Sequence, residues 1–495
     1  MRSPNSCRFH TGARKITKSV RRSGINILLL PLLISLSNIE KPTKSAAVDH
    51  DAGKAVAKMQ SDAYSAPPGP NQTVDAAIPL QLGCFDASTK FLPSCSFVSS
   101  DSTDPLPSSC RPSIDERPFL RSCSDSNEKA GSTGDRLNVG MAWNGADNLG
   151  NEDPVATMAR HNLVFGGPES FGLKWNCEKY PGLATEFTKE SIGRAQVKHE
   201  ELVEKNPRIA TLAEIRYRDA PSNYLPADSN WWQRDSSGNI VEGYPGKGLD
   251  YKMLDIRKPE FQDHVATQAA AAVKSGAAGG IMLDWFNDGQ HKGTDWDDAR
   301  LQMLTKIRTA VDAVDPHAKI FINTNAETVP DNIAASVDGY YMECNQSSSV
   351  GDWMKITAAV DRAEQQGKIP FVETWPDKNE GREEVHKMRA TTTMVMTHAP
   401  DGYALFADPD GANSKEHLHD WYSFYDTKVG KAVGTLTDFD GSSMREYENG
   451  TVLYNPIGNK PVTVTFHEPH TSAATGKTGE SFVVNPEDGD IFLPK

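Results

Sequence analysis

The chain has 495 residues, 38% of them hydrophobic and 24% charged, and a formal net charge of −14. That length suits two or three domains of about 100–200 residues each, and the lean apolar content implies that part of the chain builds no core. So acidic a chain is a poor partner for nucleic acid, and it suits a neutral partner such as a glycan.

The first 39 residues contain Arg2, Arg8, Arg14, Lys15, Lys18, Arg21 and Arg22 and no acid. The apolar run Ile27–Leu36 follows, and Ser45-Ala46-Ala47 offers small residues for cleavage. Together these read as a signal peptide over residues 1–47. Arg21-Arg22 is a weak twin-arginine feature, and a chance basic pair is the simpler reading. The apolar run is shorter than the roughly 20 residues that span a bilayer. The expectation is a secreted or periplasmic protein without stable membrane insertion.

Residues 48–135 are rich in Ser, Pro, Asp, Ala and Gly and show neither helical nor strand periodicity. They read as a disordered, low-complexity linker. Cys84, Cys95, Cys110 and Cys123 fall inside it. In an oxidising compartment they form two disulfides in one of three connectivities, or they are occasional thiols in an irregular segment. Their spacing matches no zinc site.

From Arg136 short apolar runs alternate with segments of helical spacing. The runs are 137–143, 161–166, 209–215, 280–284, 319–323, 339–343, 370–373 and 402–407. Helices are predicted over 186–206, 259–275, 296–315, 352–367 and 380–398, with a closing helix over 414–429. Pro259-Glu260 is a good helix start. Leu301, Leu304, Ile307, Val311 and Val314 recur at spacings of three and four. Eight buried strands alternating with helices predict a (β/α)8 TIM barrel over residues 136–430. A doubly wound open sheet is the alternative, but no Gly-rich phosphate loop follows the first strand. The long interval 217–258, with Trp231, Trp232, Tyr217, Tyr224, Tyr244 and Tyr251, belongs over the barrel's active face. Residues 431–495 hold short alternating runs separated by Asn449-Gly450, Gly458-Asn459 and Asp488-Gly489. They predict a small antiparallel β-sandwich.

A barrel enzyme takes its reacting groups from the C-terminal ends of its strands. Those ends carry Trp143 and Asn144, Glu169, Glu214 with Arg216 and Arg218, Asp284, Asn323 with Asn325, Glu343, Glu373 and Asp408. Asp284 follows the apolar run Gly280–Leu283 and precedes Trp285-Phe286, so it is either catalytic or a buried structural acceptor. Glu343 and Glu373 end two further strands, as functional or as salt-bridged acids. Hydrolysis of a glycosidic bond needs two carboxyls, one to donate a proton and one to attack or to activate water. Trp143, Trp231, Trp232, Trp285, Tyr341 and Trp375 offer faces for sugar rings or simply pack the rim. Glu214, Arg216, Asn323 and Asn325 offer partners for hydroxyls. No HExxH motif or Gly-x-Ser-x-Gly elbow is present. No metal or other cofactor is expected.

The stretch Leu254–Glu260, the run Gly280–Asp284 and the tail Arg445–Pro456 with Pro486–Leu493 resemble barrel families described as hypothetical glycosyl hydrolases. The resemblance covers residues 136–495 and implies a barrel closed by a small β-domain. In α-galactosidase-like and dextranase-like barrels an Asp nucleophile follows the fourth strand and an acid follows the sixth. The resemblance therefore implies that Asp284 is nucleophile or base and Glu343 is the general acid. Glu373 stands third, as binder or alternative acid. The chain departs from the cellulase-type clan, which has an Asn-Glu pair at the fourth strand. The expected function is hydrolysis of O-glycosidic bonds in an extracellular poly- or oligosaccharide. A non-catalytic glycan-binding barrel and a cell-envelope structural protein are the alternatives. The carboxyl separation separates the outcomes: about 5–5.5 Å for retention and about 6.5–9.5 Å for inversion.

Overall fold

The structure, a computed structural model, describes residues 136–495 except 245–249, 288–290, 292, 378–380 and 409–415. The expected signal peptide, the linker and its four cysteines lie outside the described residues.

In chain order the first half comprises β1 (Gly140–Ala142), α1 (Pro154–Ala159), β2 (Leu163–Gly166), α2 (Lys189–Lys205), β3 (Ala210–Glu214), β4 (Asp219–Pro221), β5 (Tyr251–Met253), α3 (Pro259–Lys274) and β6 (Gly280–Leu283). Then come α4 (Thr294–Asp312), β7 (Lys319–Asn323), α5 (Asp331–Ala334), β8 (Gly339–Cys344), α6 (Val350–Gln365), β9 (Ile369–Thr374), α7 (Val385–His398) and β10 (Tyr403–Phe406). Strands β1, β2, β3, β6, β7, β8, β9 and β10 form one eight-stranded parallel sheet in that order. A parallel bridge from Val139 to Ala404 joins its first and last strands, so the sheet closes into the expected barrel. Strands β4 and β5 form a separate two-stranded ribbon inside the long 217–258 interval.

Side chains alternate along a strand, so one set points into the barrel and the next set points at the helices. Leu163, Phe165, Leu212, Met282, Phe321, Tyr341, Phe371 and Leu405 fill the interior. Val164, Ala213, Ile281, Ile320, Tyr340 and Val372 join the larger core with the helices. The predicted helices form within a few residues of their expected bounds, save the last. Over the described part of 414–429 the structure has a loop and one short 3-10 turn, Ser423–Asp426. His417 there has φ 64°, which no helix continues through.

The C-terminal strands are β11 (Thr437–Phe439), β12 (Ser442–Tyr447), β13 (Gly450–Asn455), β14 (Val462–Ser472), β15 (Thr478–Val484) and β16 (Asp488–Pro494). They form one six-stranded antiparallel sheet, and α7 supplies the layer across from it. This helix is buried on nearly every side although it carries a threonine run. Thr391, Thr392, Thr393 and Thr397 each donate to the carbonyl four residues back, at 2.8–2.9 Å, which satisfies their hydroxyls internally. Arg389 clamps Asp488 through two bonds of 2.8 Å, and the Tyr447 hydroxyl donates to the Met396 carbonyl at 2.8 Å.

Gly489 lets the sheet come close to the helix: a Cβ there would lie 1.8 Å from Thr393 Oγ1 and 2.7 Å from its Cβ. Gly489→Ala should lower stability by about 1–3 kcal/mol through overpacking. Urea unfolding should show this as a lower midpoint at unchanged slope.

Candidate active site

The site follows from the strand period. Two residues beyond the interior layer, the same inward face carries Glu214 above Leu212, Asp284 above Met282, Asn323 above Phe321, Glu343 above Tyr341 and Glu373 above Phe371. Five consecutive barrel strands thus raise an acid or amide to one level. Interstrand register pairs Asn323 with Tyr341 and Glu343 with Glu373.

Asn323 ties the centre together. Its Nδ2 donates to Asp284 Oδ1 at 2.8 Å and to Glu343 Oε2 at 2.9 Å. Its Oδ1 accepts the Asn325 backbone N–H at 3.0 Å, which fixes which end of the amide faces the carboxylates. Asn325 reaches that position with φ 53°. Asp284 Oδ1 also accepts the Trp285 backbone N–H at 2.9 Å. Among the described residues nothing donates to Oδ2. Burial raises the Asp284 carboxyl well above the usual range, and the charges of Glu214 and Glu343 add to it; the two N–H donors oppose. Burial also raises Glu343, with Glu373 adding and His417 opposing.

Glu214 is buried and accepts the Trp143 indole N–H at 2.7 Å, with Arg216 3.5 Å from its other oxygen. Glu373 is fully buried and both its oxygens are engaged. The Tyr341 hydroxyl donates to Oε2, and His417 Nδ1 lies 2.9 and 3.1 Å from the two oxygens. Burial works against a charged His417, but the charge and hydrogen bond of Glu373, with the charges of Glu343 and Asp284, together outweigh it and raise the imidazole to about 9. Ligand-capable atoms of Glu343, Glu373 and His417 lie within 4.8 Å of one another. Tyr341 and His417 engage both Glu373 oxygens, so the three residues form a hydrogen-bonded cluster around that carboxylate.

The rim holds Trp285, whose ring lies 4.7 Å from the Arg218 guanidinium and 5.9 Å from Tyr244. Tyr244 also reaches Glu416 at 3.4 Å. A pocket between these walls is lined by Glu214, Arg216, Arg218, Asp284 and Trp285. Trp143 packs at 4.6 Å and Trp375 at 5.4 Å from His417. Tyr341 belongs to the barrel interior, beneath the pocket.

The structure therefore brings together Asp284, Glu343, Glu373, Glu214, Arg216, Asn323, Asn325, Trp143, Trp285 and Trp375. It leaves Trp231 and Trp232 out. Trp232 is buried in the helix-facing core and donates to the Pro226 carbonyl at 2.9 Å, while Trp231 packs on Phe261 and His264 of α3. The sequence does not single out His417 or Glu416, and it places Tyr244 over the active face without giving it a role. His417 falls inside the expected closing helix over 414–429, and no motif around it marks it as a pocket residue. Trp143, Trp285, Asn325 and His417, with φ of 50–64°, are four of the six non-glycine residues in the left-handed region among those described. Such strain collects where side chains are aimed by their surroundings.

Residues 211–451 match the model of hypothetical glycosyl hydrolase family 15. The matched segment contains Asp284, Asn323, Glu343, Glu373 and His417, and it bears out the sequence resemblance to hypothetical glycosyl hydrolases. No curated protein matches the chain. Among solved structures, the chain is similar to the noncanonic maltogenic alpha-amylase AmyB of Thermotoga neapolitana, at 12% identity and TM-score 0.45, covering 73% of this chain and 100% of that one. It is also similar to an alpha-amylase of Malbranchea cinnamomea, at 11% identity and TM-score 0.39, covering 69% and 87%. A third is the glycoside hydrolase domain of PelA from Pseudomonas aeruginosa, at 11% and 0.36, covering 57% and 100%. These likenesses are too distant to assign residue roles. Among the described residues no helix is long and apolar enough to cross a membrane.

The raised His417 has a consequence for stability. Its folded value, about 9, lies above the ordinary 6.5, so the folded state holds the proton more tightly. This contribution is complete below pH 6.5 and is lost as pH rises through 9. In thermal unfolding, His417→Asn should flatten the decline in midpoint over that window, and an unchanged slope would refute the pairing.

Proposed function

We propose that this chain is a secreted or periplasmic glycoside hydrolase that cleaves O-glycosidic bonds with retention, Asp284 attacking and Glu343 moving the proton. The observation that carries this reading is the shared amide. Asp284 and Glu343 both accept from Asn323 Nδ2, at 2.8 and 2.9 Å. Their nearest oxygens are no further apart than those two bonds laid end to end. That suits the separation of roughly 5–5.5 Å used for covalent catalysis and falls short of the roughly 6.5–9.5 Å that admits a water between.

In this reading Asp284 Oδ2, the oxygen that accepts nothing among the described residues, attacks the anomeric carbon. Glu343 gives its proton to the departing oxygen, and a glycosyl ester forms on Asp284. Water then enters; Glu343 takes its proton, the hydroxyl adds to the anomeric carbon and Asp284 is released. Two N–H donors favour the anion on Asp284 and one serves Glu343, while burial and mutual repulsion leave a proton shared between the two carboxyls. Trp285 offers its face to a sugar ring, and Glu214 and Arg216 offer partners for hydroxyls. The basic N-terminus, the apolar run and the Ser-Ala-Ala site support export.

Asp284→Asn should abolish hydrolysis across a polysaccharide panel read by reducing ends. Glu343→Gln should slow natural substrates on the order of 10²–10⁴-fold while sparing aryl glycosides with good leaving groups. Proton NMR of the first-formed product should show the substrate's anomeric configuration; the opposite anomer would refute retention.

Asp284 must be ionised to attack, and its raised pKa places the acid limb of kcat/KM above the ordinary aspartate range. Glu214→Gln removes a repelling charge and should move that limb down by about one pH unit. A pH profile with the limb unmoved would exclude Glu214 as a source of the shift.

A further inference from the structure

The buried Glu373–His417 pair takes no direct part in the chemistry proposed above, yet it stands beside the proton donor. We infer that Glu373 and His417 are positioning residues that set the proton affinity of Glu343 in opposite senses, the carboxylate holding the proton on it and the imidazolium limiting that hold. The inference rests on the reading of Glu343 as proton donor.

Geometry places the three together. Glu343 and Glu373 are direct register partners on β8 and β9, so their side chains leave the sheet side by side. All three residues bring a polar atom within 4.8 Å of the others. Glu373 has no exposed surface and spends both oxygens on Tyr341 and His417. It therefore reaches Glu343 through its field. His417 is held from three sides, by Glu373, by the Trp143 ring and by Trp375.

A negative charge a few ångströms away in a water-poor site raises a carboxyl's pKa, and a positive charge lowers it. Among the described residues the other titratable groups facing Glu343 are Asp284 across the Asn323 amide, Glu416 from the His417 loop, the Tyr244 and Tyr341 hydroxyls, and Cys344 on its own strand. None of these is a cation, which leaves His417 to oppose the acids. Burial raises Glu343, Glu373 adds to it and His417 subtracts. A donor must keep its proton until substrate arrives and still release it to the leaving oxygen; two opposed neighbours set both limits.

The test follows carbon-13 carboxyl shifts in glutamate-labelled full-length protein, with the Glu343 resonance assigned by its loss in Glu343→Gln. In Glu373→Gln the Glu343 titration should fall by about one unit or more. In His417→Asn the last proton to leave the Glu343–Glu373 neighbours should leave at higher pH, because two adjacent carboxyls then share it without a counter-charge. Shifts in the same direction, or none in either variant, would overturn the inference. A pair that served only packing would alter thermal unfolding and leave the titration in place. Should one variant fail to fold, the sign of the shift in the other decides. The titration needs no turnover, so a protein that hydrolyses no glycoside would sink the proposed function while this measurement still stands or falls by itself.

Discussion

One amide nitrogen shared between two carboxyls, Asn323 Nδ2 between Asp284 and Glu343, is the contact around which the barrel mouth is organised. Four acids and one amide stand at a single level on five neighbouring strands. Without a donor between them, like charges at that spacing would push the strand ends apart or take up protons. The amide is neutral, so it satisfies both oxygens without cancelling either charge. Its orientation depends in turn on Asn325, whose backbone N–H holds Oδ1 from behind. A single left-handed residue thus aims the group on which the carboxyl spacing depends.

The barrel beneath supplies the rigidity this arrangement requires. Phe165, Phe321, Tyr341 and Phe371 fill the interior directly below the acids. Phe165, Tyr341 and Phe371 meet with ring centroids 4.8–5.7 Å apart. Close packing leaves the strand ends little room to shift. On the outside, α7 joins barrel to C-terminal sheet, and its threonines are tolerated because each hydroxyl bonds within the helix. Arg382 is a further tie. It pairs with Asp147, Asp408 and Asp420, residues that follow β1 and β10, and so holds the loop that carries His417.

Charge sets the chemistry as firmly as shape does. Asp284 and Glu343 share one amide donor, and burial raises the proton affinity of both, with the charge of Glu343 adding to the rise at Asp284. Glu214 acts on Asp284 from one side, and Glu373 with His417 acts on Glu343 from the other. In the proposed mechanism, the attacking carboxylate and the proton-donating carboxyl would thereby have different neighbours within one cluster, the condition for two like groups to take unlike roles.

The barrel was legible because its signals are local. Eight apolar runs with helical spacing between them depend only on neighbours in sequence, and so do the acids that end those runs. The strand period alone raises Asp284, Glu343 and Glu373 to one level once their strands lie side by side. The sequence could not decide which tryptophans face the pocket: Trp231 and Trp232 look like rim residues, but the β4–β5 ribbon turns them toward the core and α3. It also could not reveal His417, whose position depends on a left-handed backbone and on Glu373, a residue 44 positions earlier in the chain. Sequence by itself determined the strands, the level of the acids and the acidic character of the whole. Only tertiary structure decided which acid is buried, which is bridged and which is paired, because burial and charge are properties of neighbours in space.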